Sequence, residues 1–167
     1  MYDLQRLTAG HLEELLAFEV ENRAYFACSI TDRGDEFYET FPEHHRAMLA
    51  EQETAVCVFS VLVDHDGSVV GTFNLRDLEG GVAQVGYRVA ERVAGQGVAT
   101  SALRELCQRA VADYGLTALR AECSDANAAS RRVLEKVGFS AAGSCVVGGK
   151  PGTSFSLALP RASASSI

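Results

Sequence analysis

Between Thr54 and Val89 the sequence reads TAVCVFSVLVD, HDG, SVVGTFNL, a Glu79-Gly80-Gly81 turn, then VAQVGYRV, and no other stretch constrains the fold as strongly. These apolar, β-branched segments are bounded by turn residues and leave no room for helices between them. They read as three successive antiparallel strands, the first two forming a hairpin around Asp66-Gly67. The period changes directly afterwards. From Gly97 to Tyr114, the residues Leu103, Leu106, Cys107, Ala110, Val111 and Tyr114 share one helical stripe that stops at Gly115, and ALRAEC returns to strand. A strand, a helix and a strand in that order make one β-α-β crossover within a mixed α/β domain.

The flanking segments extend this frame. Tyr2 to Leu7 suits a short strand, and Thr8 offers an N-cap to a helix with Leu12, Leu15, Leu16 and Val20 on one side, expected to run to about Phe26. The polar segment SITDRGDEFYET either walls a substrate site or is a plain solvated loop. Pro42 opens a second helix through HHRAMLAEQ. After ALRAEC, the segment NAASRRVLEKV predicts a helix ending at Gly138, and SCVVGG and TSFSLAL predict two late strands. One domain over residues 1–160 is expected, with 161–167 a flexible Ser/Ala tail lacking a packing pattern.

With 167 residues, 47% hydrophobic and 22% charged, the chain can bury the core of a single domain. MYDLQRLTAGHL lacks the basic start and apolar run of a secretory leader, and no apolar stretch nears the ~20 residues needed to span a bilayer. A cytoplasmic protein without membrane contact is expected. Cys28, Cys57, Cys107, Cys123 and Cys145 form no C-x-x-C pair and have no histidine at zinc-ligand spacing, so reduced, mostly core cysteines and no metal site are expected. The net charge of -7 argues against nucleic-acid binding and mildly favours cationic partners.

The stretch VAGQGVATSAL, Val93 to Leu103, places Gly95 and Gly97 before the longest helix. Clustered backbone N–H groups and the positive end of a helix dipole can hold an anion there without a charged side chain, while a flexible turn fits the same residues. No Walker motif is present, and GQGVAT after antiparallel strands is not the dinucleotide fingerprint.

VGYRVAERVAGQGVATSAL resembles the acetyl-coenzyme-A loop of the GNAT N-acetyltransferase superfamily, in particular its Rim-type branch of ribosomal-protein N-terminal acetyltransferases. DANAASRRVLEKVGF, Asp125 to Phe139, is similar to the N-x-x-S-x-x-[VL]-L-E-K-x-G-F block of the same branch. The loop departs from the usual Q/R-x-x-G-x-G/A pattern, because its first position is Ala94 and Arg92 lies two residues early.

The resemblance implies a central, mostly antiparallel sheet with helices on both faces, and acetyl-coenzyme A as co-substrate. Backbone groups of Tyr87, Arg88 and Val89 would hold the pantetheine and thioester. Amides of Gly95, Gln96, Gly97, Val98, Ala99 and Thr100 would hold the pyrophosphate, and Asn127 and Ser130 would contact the cofactor from the next helix. Asn127 is equally an ordinary N-cap, and Ser130 a small residue on a helix surface.

For catalysis, Glu122 on ALRAEC stands where Rim-type enzymes carry a catalytic glutamate; strand alternation lets it face the cleft or a solvated face. Gln84 replaces a glutamate of many Rim-type sequences and cannot accept a proton at neutral pH. Leu134 stands where many superfamily members have an acidic tyrosine, and Ser130 is the proton donor that Rim-like relatives suggest. Cys123 reads as a buried core thiol, since no histidine adjoins it to activate a nucleophile. The expected activity is direct acetyl transfer in a ternary complex to a primary amine, a protein N-terminal α-amine by the Rim resemblance. The alternatives are a polyamine or amino-sugar acetyltransferase and a non-catalytic acyl-coenzyme-A-binding module. Acceptor contacts are expected from Cys28 to Phe41 and the hairpin tips. A homodimer through the late strands is compatible with the resemblance.

Overall fold

The three strands read between Thr54 and Val89 form the centre of one seven-stranded sheet in the computed structural model, which describes residues 1–161. The strands are β1 (Asp3–Arg6), β2 (Val58–Val63), β3 (Val69–Glu79), β4 (Val82–Val89), β5 (Ala118–Ser124), β6 (Ser140–Val147) and β7 (Lys150–Ala158). Their order is β1-β2-β3-β4-β5-β7-β6, and every neighbouring pair is antiparallel except β4 and β5. The parallel pair is where the crossover helix α5 (Val98–Tyr114) predicts it. The expected tail falls mostly on residues 162–167, outside the described residues.

Helices cover both faces. On one side lie α1 (Leu12–Glu21), α2 (Arg23–Ala27), α3 (Asp35–Glu39) and α4 (Phe41–Glu53); on the other, α5 packs with α6 (Ala128–Val137). Two neighbours on β4 define the sides: the Arg88 guanidinium reaches Glu19 of α1, whereas the Tyr87 hydroxyl reaches Ser130 of α6. Phe73, Leu75, Leu103, Leu106, Leu119 and Leu134 are almost wholly buried around the sheet. Leu134 and Cys123 are core residues, as read from the sequence.

Two local expectations are corrected. The helix expected to reach Phe26 breaks at Asn22, whose Nδ2 donates to the Phe18 carbonyl at 2.9 Å while its Oδ1 accepts the Glu91 N–H at 3.0 Å. A side chain competing for helix backbone and tied to a distant loop ends α1 and starts α2 in a new direction. The polar segment after Phe26 is not all loop: Asp35–Glu39 forms a helical turn. Arg23 fastens its start, bonding Asp32 at 2.8 Å and Asp35 at 2.9 Å.

The feature that positions the site is a divergence of the parallel strands. Pairing runs from Val82 opposite Ala118 to Val85 opposite Ala121 and then stops. Beyond that point β4 stays paired with β3 up to Val89, and β5 stays paired with β7 up to Ser124. Gly86 to Val89 and Glu122 to Ser124 therefore flank a wedge inside the sheet, each with a backbone edge turned towards the gap.

Candidate active site

The wedge opens into a cleft of about 210 Å³. Tyr87, Arg88 and Val89 form its β4 wall, Asn127, Ala129, Ser130 and Val133 its α6 wall, and Ala94, Gly95 and Ala99 its far end. Tyr25, Phe26, Ser29 and Ile30 from α2 and the segment after it close one side. The cleft continues into a second depression of about 290 Å³ that shares Val89, Ala94, Gly95, Ala99, Ala129 and Val133 with it. Gly97, Val98 and Thr100 line this part, and so do Arg132 and Lys136 of α6.

The glycine turn gives the depression its chemistry. Gly97 has φ 78° and ψ 3°, a left-handed conformation that aims the first amides of α5 outwards. A seventeen-residue helix begins here, and its N-cap has no side chain to occupy the N–H groups of Val98, Ala99 and Thr100. A Cβ built on Gly95 or Gly97 meets nothing within 4 Å, so the space before these amides is open. Free amides, the positive helix end and two cations fit a pyrophosphate group. The i, i+4 spacing of Arg132 and Lys136 puts both on one face of α6, but nothing local in the sequence ties that face to the glycine turn.

Gln96 and Arg92 face elsewhere. Gln96 is exposed, and its Nε2 donates to the Arg92 carbonyl at 3.1 Å. The Arg92 guanidinium bonds Asp64 of the β2–β3 hairpin at 2.9 Å, so Arg92 secures the hairpin rather than standing in for the residue absent at Ala94.

Within the cleft, Asn127 accepts the Ser130 N–H on Oδ1 at 3.1 Å and thereby caps α6. Cys123, buried beneath it, donates to the Asn127 carbonyl at 3.4 Å. Ser130 Oγ lies 3.0 Å from the Tyr87 hydroxyl, which lies 3.2 Å from the Ser130 carbonyl oxygen. The single phenolic proton goes to the carbonyl, which accepts only, so Ser130 O–H donates to Tyr87. Burial pushes the Tyr87 pKa up to about 12, against a smaller opposing effect of the Ser130 hydrogen bond. The phenol stays protonated through neutral pH.

Glu122 lies outside this cleft. It is exposed and lines a separate cavity of about 460 Å³ on the α1 side of the sheet, with Gln84, Arg120, Ser154 and Ser156. Gln84 pairs directly with Arg120, and Glu122 with Ser154, so one row of the sheet floor leads to the next. Gly86 follows two residues after Gln84 and shares its face; a Cβ there would touch nothing within 4 Å. The floor is therefore open at the mouth of the wedge, between the cleft and the carboxylate.

The family model described as an acetyltransferase (GNAT) domain matches residues 3–140. A probable N-acetyltransferase of Bacillus subtilis, YjcK, is 29% identical over 135 residues, 76% of this chain and 74% of its own. The ribosomal-protein-S5-alanine acetyltransferase of Vibrio fischeri superposes with a TM-score of 0.86 at 17% identity, covering 94% of this chain and 92% of that one. RimJ of Mycobacterium smegmatis, solved with a coenzyme A disulfide, gives 0.84 at 20% identity over 94% and 81%. The wedge between β4 and β5, the amide cradle before α5 and the matched residues lead to one conclusion: the chain belongs to the GNAT acetyltransferase family.

Proposed function

We propose that the protein transfers an acetyl group from acetyl-coenzyme A directly to a protein N-terminal α-amine. Bound acetyl-coenzyme A supplies an activated acetyl thioester. The amides of Val98, Ala99 and Thr100, with Arg132 and Lys136, hold its pyrophosphate, and Gly95 keeps the approach clear. The backbone of Tyr87, Arg88 and Val89 orients the pantetheine along the wedge, and Asn127 and Ser130 line its opposite wall.

The observation that carries the choice of acceptor is the exposure of Glu122. A hydrated carboxylate is a weak base. It suits an α-amine, whose pKa of about 8 leaves about a tenth of it neutral near pH 7, better than a lysine-like or polyamine nitrogen near 10.4, for which that fraction is below about one in a thousand. Glu122 takes the amine proton from the α1 side while the thioester is held in the wedge. Ser130 turns its O–H from Tyr87 towards the departing sulfur and steadies the thiolate as a donor, with water supplying the final proton.

The test measures free thiol from acetyl-coenzyme A with an N-terminally free peptide, the same peptide blocked at its N-terminus but bearing a lysine, spermidine and glucosamine. Turnover of the free peptide is expected. Turnover of spermidine or glucosamine alone would make the acceptor a small molecule, and tight cofactor binding without turnover would make the protein a binding module. Glu122→Gln is expected to lower kcat by about 10²-fold; unchanged turnover removes Glu122 as the base.

A further inference from the structure

The chain is acidic overall, yet the sheet floor beside Glu122 is basic. Arg76 of β3 pairs with Gln84 of β4, and Gln84 with Arg120 of β5, so both arginines lie in one row on the α1 side, about 10 Å apart across two strand spacings. Glu122 begins the next row, two residues or about 7 Å further along β5. Above the floor, Arg33 rests its guanidinium 4.5 Å from the Phe37 ring, and Arg76 rests 5.0 Å from the Phe59 ring. Aromatic faces hold these cations in place without neutralising them.

Among the described residues, Arg33, Arg76 and Arg120 have no carboxylate within 4.0 Å. The arginines around them are satisfied: Arg23 by Asp32 and Asp35, Arg88 by the buried Glu19. Partial desolvation, and then the charges of Arg88 and Arg76, lower the pKa of Arg33, outweighing the opposing pull of Glu19. His44, which packs against Phe37, is also held below its ordinary pKa by burial and by Arg33, so it adds no anion and little charge. Like charges gathered without a carboxylate in ion-pair contact are the arrangement an anionic ligand relieves.

Resting on the α-amine reading above, we propose that the acceptor is an acidic N-terminus, whose second and third residues carry carboxylates that Arg120, Arg76 and Arg33 receive while its amine meets Glu122. The spacing suits an extended peptide. One residue advances about 3.3–3.6 Å and successive side chains point to opposite sides, so with the amine at Glu122 one carboxylate faces the Arg76–Arg120 row and the other faces Arg33 above it. Charge on this local surface thus opposes the preference for cationic partners that the net charge of -7 implies. A polycation meets three unpaired arginines here.

The test compares three C-terminally amidated peptides, Ser-Asp-Glu-Ala, Ser-Ala-Ala-Ala and Ser-Lys-Lys-Ala, by steady-state thiol release. The acidic peptide is expected to have a kcat/KM about five- to tenfold above the neutral one, expressed in KM, with the basic peptide lowest. In ~1 M salt, where the Debye length shrinks to about 3 Å, the order should flatten. Arg76→Gln combined with Arg120→Gln should abolish the preference, bringing the KM values of the three peptides together, and Arg76→Glu should favour the lysine peptide. Equal rates for the three peptides, or a wild-type preference for lysine, overturn this inference alone. Turnover of none of them removes the α-amine reading and this inference together.

Discussion

Arg88 of β4 donates to both carboxylate oxygens of Glu19 in α1, one bond measuring 3.0 Å, and the pair joins the first helix to the strand that flanks the wedge. Glu19 is only 5% exposed, and the Arg88 guanidinium also packs 4.6 Å over the Phe26 ring. Removing either partner alone strands a buried charge at a cost of about 3–5 kcal/mol. Arg88→Met and Glu19→Met should each lower stability by that order, while the double variant should recover most of it. Urea unfolding of all three measures the cycle, and additive losses would show that the two side chains act separately.

Gly97 holds a left-handed conformation before α5, so Gly97→Val should lose about 1–2 kcal/mol of stability from backbone strain alone. The same change redirects the first amides of the helix. Its KM for acetyl-coenzyme A is expected to rise on the order of tenfold, equivalent to about 1.4 kcal/mol of lost binding. Substrate titration at fixed acceptor reads this directly; an unaltered KM would place the pyrophosphate elsewhere.

Tyr87 is buried with its pKa raised from 10.0 to about 12, so it gives up its proton later than the unfolded chain does. Its contribution to stability is complete below pH 10 and is lost as pH rises towards 12. Tyr87→Phe should therefore shrink the alkaline loss of stability between those values. It should also cost about 1 kcal/mol at pH 7, because Ser130 loses the oxygen that accepts its proton. Between pH 6 and 9 the shape of the activity profile should stay the same, since the phenol does not titrate there.

His45 is buried, stacks on Phe41 at an interplanar angle of 13°, and has an unpartnered Nε2 among the described residues. Burial lowers its pKa below 6.5, more than its bond to Thr8 raises it. The unfolded chain gains a proton first as pH falls, so stability is full above 6.5 and declines from there towards the lower folded value. His45→Phe should narrow the Tm difference between pH 7.5 and pH 5. The part that remains belongs to His11 and His44, whose pKa values are also lowered by burial.

The strands from Val58 to Val89 and the helix after Gly97 were legible because each follows from neighbours in the chain: alternation, turn glycines and an apolar stripe. The break at Asn22 was not, since its cause is a bond to Glu91, sixty-nine positions away. The cleft residues Tyr87 to Val89, Asn127 and Ser130 were readable from two sequence blocks, and the fold brings them to one cavity. Arg132 and Lys136 were not readable as partners of the glycine turn, because only the packing of α6 against α5 brings them there. Net charge is blind to local patches for a similar reason. It sums over the whole surface, whereas Arg76 and Arg120 come into one row only after the sheet has formed.

Where β4 and β5 part after Val85, the sheet has an open seam in its interior rather than at its rim. An exposed strand edge ordinarily invites another polypeptide to add on and begin aggregation. This seam is bordered by protein on both sides and closed at its base, so it admits a slender chain of atoms and excludes a full strand with its side chains. The fold can thus leave peptide groups unsatisfied in the absence of ligand, without giving a second molecule a place to polymerise.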